Sequence, residues 1–393
     1  MTVQDFTQSS KNNFKTGRDG NIRRQFASGL NTGGAELALL RLLENQDQKL
    51  FDTCVICMIP IGVVGIQIAE LGIPVISLDM RPGRPTIRGT IKLISIINKF
   101  QPSIIQTWLY HADLLGLFAA KICNISHVIW NIRIAELDFS QYRRLSGIVM
   151  RFCALLSRLP SAVVVNSLAG KQIHSHLGYH PKEWVYIPNG VDADRFSPDN
   201  HARQSIRDEW NIPAESFIIA NVGRINPQKD HPTFLKAIAI IQGLNTNTYF
   251  VCVGEGPEPY LLELKKQAGE LGISNLIWAG VRVDMPDVYN AVNLLVSSSN
   301  GEGFPNVIAE AMACEVPCVA TDVGDSALLI QDTGFTVPAH DHEELAKKII
   351  EMLVKSSHDR ILMGKKARIR ILMNFSVNKM VQAYLHLYNK LDT

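Results

Sequence analysis

Apolar residues along this chain gather in short continuous runs, separated by longer stretches in which they recur at helical spacing. In the first half the runs fall at 54–59, 75–78, 104–107, 128–131, 162–166 and 185–187; in the second they fall at 217–222, 249–253, 276–279, 294–297, 318–321 and 336–337. A continuous apolar run predicts a strand covered on both faces, which is the condition of a parallel sheet. Strand and helix alternate throughout, so the chain is predicted to be α/β, with two Rossmann-like, doubly wound sheets in series. A length of 393 residues suits two domains. Pro188-Asn189-Gly190 is the best linker, a breaker followed by a pair that tolerates left-handed backbone. We therefore expect an N-terminal domain over 1–188 and a C-terminal domain over 189–376. Residues 1–21 are polar and expected to be disordered, and within 22–28 only Ile22, Phe26 and Ala27 are able to pack.

The segment Gly301-Glu302-Gly303-Phe304-Pro305-Asn306-Val307-Ile308-Ala309-Glu310 carries the densest chemistry. Its glycines permit a tight turn, Pro305 suits the first turn of a helix, and Val307, Ile308, Ala311 and Met312 continue at helical spacing. A helix start after such a turn is a ready site for an anion such as phosphate. Glu302 lies beside that site on the loop, and Glu310 is expected to face the same cleft one layer back. Two acids near an anion site suit hydroxyls, because an ionised carboxylate is purely an acceptor. A ligand with phosphates in its middle and hydroxylated rings at both ends, such as a nucleotide sugar, fits this layout.

Upstream, the apolar run 217–222 ends at Gly223 and is followed by Arg224, a turn at Asn226-Pro227, Lys229, and Asp230 as the cap of a further helix. Arg224 and Lys229 are thereby placed at the carboxyl end of a strand, where open α/β sheets bind ligands. A guanidinium and an ammonium there can hold a diphosphate and stabilise its charge on departure without a metal. Either fragment alone is as easily a solvated surface; the two in this order within one α/β domain are far more specific.

With these motifs the chain resembles the family-4 retaining glycosyltransferases of the GT-B fold, over about residues 29–388. The resemblance rests on Glu302 to Cys314, on Val222-Gly223-Arg224-Ile225-Asn226-Pro227-Gln228-Lys229-Asp230, on 187–192, on Gly33-Gly34-Ala35-Glu36, and on Thr107-Trp108-Leu109-Tyr110-His111. It implies two Rossmann-like domains facing a cleft, with a C-terminal helix at 377–391 packing back on the first. It further implies that Arg224 and Lys229 bind the donor diphosphate, that Glu310 takes the ribose hydroxyls, and that Glu302 holds the transferred sugar. Gly303, Phe304, Pro305 and Asn306 would complete the donor site. Arg282 would lie near the base, Gly33 and Gly34 would let their loop approach the phosphates, and His111 would sit over the donor sugar. His111, Glu302, Arg224 and Lys229 are the candidate catalytic residues; a histidine at that place is also able simply to cap the following helix. The implied reaction moves a sugar, with retention, from a nucleotide diphosphate sugar to a glycan or lipid-linked acceptor bound by the N-terminal domain, in polysaccharide or glycolipid synthesis. A uridine donor comes first on family frequency, and no metal or other cofactor is called for.

Charge and cysteine narrow the setting. Residues 1–188 hold 20 Lys and Arg against 12 Asp and Glu, while 189–393 hold 19 against 25. A basic first half suits an anionic acceptor or membrane surface, and equally a mere difference in solvation. In 142–159, Leu145, Ile148, Val149, Phe152, Leu155, Leu156 and Leu159 form an apolar stripe beside Arg144, Arg151 and Arg158. Such a helix is able to lie in a membrane interface, but core packing with outward arginines is the plainer expectation. The basic loop from Arg81 to Arg88 is as well suited to an acceptor phosphate as to solvent. Seven cysteines show no metal spacing; Cys54 and Cys57 should point to opposite faces of one strand. The polar N-terminus and the lack of a long apolar run lead us to expect a cytoplasmic protein, with at most a peripheral membrane contact and no nucleic-acid partner. Two competing readings are a nucleotide-sugar epimerase on the same architecture and a nucleotide-sugar-binding protein without turnover. A dinucleotide oxidoreductase is poorly supported, since Gly254-Glu255-Gly256-Pro257 lacks a third glycine.

Overall fold

The structure, a computed structural model, describes residues 21–27, 29–31, 33–81, 85–133, 144–244 and 247–392, with side chains throughout except at 21–27, 144–146 and 392. The expected disorder of 1–21 falls outside the described residues except at Asn21, which the structure places in a strand, and the middle of the Arg81–Arg88 loop and the first residues of the 142–159 helix also fall outside them.

The first half forms β1 (Asn21–Ala27), β2 (Phe51–Cys57), β3 (Val75–Ser77), β4 (Ile104–Trp108), β5 (His127–Ile132), β6 (Ala162–Val165) and β7 (Trp184–Tyr186), in the order β3-β2-β1-β4-β5-β6-β7. The second half forms β8 (Phe217–Val222), β9 (Thr248–Val253), β10 (Leu276–Gly280), β11 (Leu294–Ser297), β12 (Cys318–Thr321) and β13 (Phe335–Val337), in the order β10-β9-β8-β11-β12-β13. All pairings are parallel. Strand order reverses between β1 and β4 and between β8 and β11, and ligands of doubly wound sheets bind at the carboxyl ends of such switch points.

β1 is the element with the weakest signal in the sequence. It nevertheless sits at the centre, paired with β2 over seven residues and with β4 over five. A parallel ladder is made by backbone groups that every non-proline residue supplies. The apolar neighbours β2 and β4 fix the slot that β1 fills. Cys54 and Cys57 do face opposite ways: Cys54 packs with Leu93 and Leu117, Cys57 with Leu39 and Val64.

The helix Val377–Asp392 leaves the second half and packs on the first sheet, where Met380, Val381, Tyr384, Leu387 and Tyr388 join Leu39, Leu43 and Val55 in one core. Burying a large side chain of this kind is worth roughly 1.5–3 kcal/mol, so this helix is held by packing far more than by its own propensity. The chain therefore passes between halves twice, and the two passages pair. The Val191 amide donates to Phe375 O (2.8 Å) and the Val377 amide to Val191 O (2.9 Å). A Cβ on Gly190 would lie 2.6 Å from Val377 Cα, which is why the crossing needs a glycine.

One helix differs from expectation. Arg144–Leu156 buries Val149, Met150, Cys153 and Ala154, whereas Ile148, Phe152, Leu155 and Leu159 of the predicted stripe are exposed. Both stripes are apolar, and the smaller residues, Cys153 and Ala154, fit the close approach to the helix Tyr110–Ile122.

Candidate active site

Two loops at the β8/β11 switch point are tied together before any ligand arrives. After β8, Asn226 accepts from the Lys229 amide (3.2 Å) and turns 227–229 into a single 3₁₀ turn. Asp230, in the left-handed region at φ 44°, caps the helix His231–Gln242 through the Thr233 amide and hydroxyl, as the sequence predicts. After β11, the Asn300 amide donates to Gln228 O (2.9 Å), Gln228 Nε2 donates to Gly301 O (2.9 Å), and the Ser298 hydroxyl donates to Lys229 O (2.9 Å). This lacing brings Lys229 Nζ to 2.5 Å from Glu302 Oε1, which also accepts from the Ser299 hydroxyl at 2.7 Å. Both side chains are largely buried, at 15% and 10% exposure. Oε2 of Glu302 has no partner among the described residues.

The helix Asn306–Ala313 follows. Pro305 precedes its first turn instead of opening it, and no side chain caps its free amides. The helix start is thus open to an anion, beside the Lys229 ammonium. Phe304 is buried against Phe375 at the crossing (5.8 Å between centroids), so its side chain anchors the loop there. Gly324 packs on the same loop, where a Cβ would lie 2.5 Å from Glu302 O and Gly303 O. Glu310, deeper on the helix, accepts from Arg41 Nη2 (3.0 Å) and from the Tyr289 hydroxyl (3.3 Å).

Arg41 belongs to the helix Gly34–Asn45 of the first half, so Glu310 bridges the halves. Arg41 also donates to Gly190 O at the crossing (3.0 Å). Gly34, at the start of that helix, faces the head of the second-half helix: a Cβ there would lie 4.0 Å from Asn306 Nδ2. Asn306 Oδ1 accepts from Asn189 Nδ2 (2.9 Å), and Asn189 in turn accepts from Arg133 (2.7 Å). A Cβ on Gly33 would strike the Glu36 carboxylate at 2.4 Å, so the glycine lets Glu36 fold back over its own loop.

His111 stands in the first turn of Tyr110–Ile122, at the carboxyl end of β4, after Leu109 in an unusual positive-φ conformation (72°). Its Nε2 is buried with no partner among the described residues, and burial lowers its pKa. A neutral ring with a free nitrogen is more than a cap requires.

Arg224 is exposed and has no ion pair or hydrogen bond among the described residues. Arg282 makes no hydrogen bond or ion pair with this cluster. Its guanidinium is bound by Glu209 and by Asp284 (2.8 Å through Nε), and those bonds raise its pKa. The dismissed glycines also find a purpose. A Cβ on Gly254 would lie 1.9 Å from Gly223 O and one on Gly256 1.8 Å from Ile225 O, so the β9 loop seats the backbone that carries Arg224.

Sequence reasoning did not single out Arg41, Tyr289, Asn189 or Arg133. It also missed Asp325, whose carboxylate accepts from the amides of Leu168 (2.9 Å) and Ala169 (3.2 Å) and from the Tyr186 hydroxyl (3.1 Å) of the other half. Asn189 had been noticed only as part of the linker and of the 187–192 motif, with no role of its own. The others are distant in sequence from what they touch and carry no local signal. No group of His, Cys, Asp and Glu with metal-binding geometry occurs among the described residues, and the seven cysteines are free and buried.

Two parallel, doubly wound sheets, the second carrying a laced cation–acid pair at its switch point, define a GT-B architecture. Solved structures sharing it include HepE of Anabaena in complex with UDP (TM-score 0.82, 21% identity, 94% of this chain and 100% of that one) and a glycosyltransferase of Rickettsia africae (TM-score 0.82, 19% identity, 95% and 99%). Residues 32–195 match the family described as Glycosyltransferase Family 4, and residues 216–355 match Glycosyl transferases group 1. Curated relatives include the UDP-Gal:alpha-D-GlcNAc-diphosphoundecaprenol alpha-1,3-galactosyltransferase of Escherichia coli, 24% identical over 77% of this chain and 79% of that protein. Another is the capsular polysaccharide biosynthesis glycosyltransferase CapM of Staphylococcus aureus, 25% identical over 77% and 80%. The chain belongs to the family-4 glycosyltransferases.

Proposed function

We propose that this glycosyltransferase moves a sugar, with retention of anomeric configuration, from a nucleoside diphosphate sugar to a glycan or lipid-linked acceptor in polysaccharide or glycolipid synthesis. A uridine diphosphate sugar is the first candidate donor, a choice supported by the names of the Escherichia coli relative and the Anabaena structure. The observation that carries the reading is the Lys229–Glu302 contact beside the uncapped start of the helix that bears Glu310.

The diphosphate is placed at that helix start, between Lys229 and the free guanidinium of Arg224. The ribose lies against Glu310, and the sugar lies against the unpartnered oxygen of Glu302 and under His111. The bond between the anomeric carbon and the diphosphate oxygen breaks, and its electron pair leaves with the diphosphate. Arg224, Lys229 and the helix amides stabilise that growing charge. The acceptor oxygen bonds to the same face of the anomeric carbon and passes its proton to the departing phosphate, so no protein nucleophile is required. Fixed cations do the work that a divalent ion would otherwise do, and transfer is expected to survive a chelator. The polar β1 is paired over seven residues with β2 and over five with β4, so it gives no ground for preferring a chain without turnover.

The test is a thermal-shift screen against uridine and guanosine diphosphate sugars, followed by titration calorimetry. Glu310→Ala should weaken UDP binding by about tenfold to a hundredfold, the worth of a carboxylate accepting from ribose hydroxyls. No shift with any nucleotide sugar would overturn the donor assignment.

A further inference from the structure

Three helices lie side by side on one face of the first sheet: Ile87–Phe100, Tyr110–Ile122 and Arg144–Leu156. Their inner sides share one core through Leu93 and Ile97, Leu117 and Ala120, and Val149 and Cys153. Their outer sides are apolar as well. Ile87 is 82% exposed, Ile91 62%, Phe118 53%, Ile122 61%, Phe152 50% and Leu155 75%. On the third helix Ile148, Arg151, Phe152 and Leu155 fall on one stripe, opposite the buried one.

The same outer side is basic. Arg88, Lys92, Lys121, Arg151 and Arg158 are exposed on or just beyond these helices. The described residues of the three helices contain a single carboxylate, Asp113, and it is buried against the Thr107 hydroxyl. Beyond them, Asp79 lies 3.6 Å from Lys92. A face that only had to stay in solution would set acids among its cations, and one that only had to meet protein would not need so many cations. Exposed aromatic and aliphatic side chains ringed by cations, of which only Lys92 has an acid beside it among the described residues, match a membrane interface with anionic headgroups, which takes up both at once.

We propose that this three-helix face docks the enzyme on an anionic lipid bilayer. In a parallel sheet every such helix begins at the carboxyl edge, so Ile87 and Arg88 lie at the same end of the domain as His111. Docking there presents the cleft to an acceptor held in the lipid. That purpose rests on the proposed transferase reading, but the docking itself does not: vesicle binding without nucleotide binding would keep the face and sink the donor site.

The experiment is flotation of the full chain with vesicles of phosphatidylcholine alone and of phosphatidylcholine with phosphatidylglycerol. Binding is expected only to the latter and should weaken with salt. Phe152→Ser with Leu155→Ser, and separately Arg151→Glu with Arg158→Glu, should each lower the partition at least about tenfold while melting like the parent protein. The proposal is overturned by absent binding to phosphatidylglycerol vesicles, by equal binding to both vesicle types, or by variants that bind as well as the parent. It is overturned too if ultracentrifugation shows a dimer that the Phe152 and Leu155 changes dissolve, since the face would then belong to a second copy.

Discussion

Replacing Lys229 by methionine keeps the length of the side chain and removes its charge. Two separable losses should follow. The first is structural: Oε1 of Glu302 now accepts from Lys229 at 2.5 Å and from Ser299 at 2.7 Å, and the variant leaves only the hydroxyl. Stripping one partner from a fully buried ion pair costs about 3–5 kcal/mol. Here the side chains retain 15% and 10% exposure, so water recovers part of that, and a loss of about 2–3 kcal/mol is expected. A domain with an ordinary margin of stability of about 5–15 kcal/mol stays folded after such a loss. The second is catalytic: a fixed donor aimed at developing charge is worth about 10²–10³ in rate, so UDP release in a coupled assay should fall by that factor. Adding Glu302→Gln should restore about 1–2 kcal/mol of the lost stability in urea denaturation, because the uncompensated carboxylate is gone, without restoring turnover. The reasoning fails if the double variant is no more stable than Lys229→Met. It fails equally if Lys229→Met turns over within about threefold of the parent, which is too small an effect for a group that carries leaving-group charge.

Arg41→Met should weaken UDP binding by a smaller factor than Glu310→Ala, about threefold to tenfold in calorimetry, because Arg41 only holds the carboxylate that the ribose is proposed to meet. Tyr384→Phe should cost about 2–3 kcal/mol in urea denaturation, since the hydroxyl donates to Asn131 at 2.7 Å and accepts from Arg133 deep in the N-terminal core. For Asp113, burial raises the pKa well above its ordinary 3.8, against the opposing Thr107 bond. Its stabilising contribution is therefore complete below that ordinary value and is lost as pH rises through the folded pKa. Asp113→Asn should flatten the decline of melting temperature across that window, and an unchanged slope would count against a neutral carboxyl there.

The elements legible in the sequence are those whose signal is local. β8, β11 and β12 coincide with their apolar runs because a strand buried on both faces must be apolar throughout. The Asp230 cap and the turn at Asn226 were readable for the same reason: each bonds to residues within three positions of itself. β1 was faint because its place is set by the backbones of β2 and β4, not by its own side chains. The outward stripe of Arg144–Leu156 was misassigned because a helix apolar on two sides gives periodicity no means of choosing which side the sheet takes.

The candidate site divides along the same line. Lys229 and Glu302 were each visible in a motif, but their contact depends on Gln228, Ser298 and Asn300 lacing one loop to the other. Arg282 looked available because Glu209, 73 positions away, gives no hint in sequence that it will take the guanidinium. Arg41 reaches Glu310 across 269 positions and Asp325 reaches Leu168 across 157, and both join the two halves. These two contacts bear on function in a way that no motif could show. Arg41 engages the carboxylate proposed for the ribose, and Asp325 is tied through its own amide to Gly303 O, next to the carboxylate proposed for the sugar. A ligand that takes hold of Glu310 or shifts the Glu302 loop must disturb a contact between the domains. On the proposed donor site, binding of the donor and the angle of the cleft would thus be coupled through the same side chains. This coupling is a property of the folded arrangement alone, since neither half of the chain contains both partners of either pair.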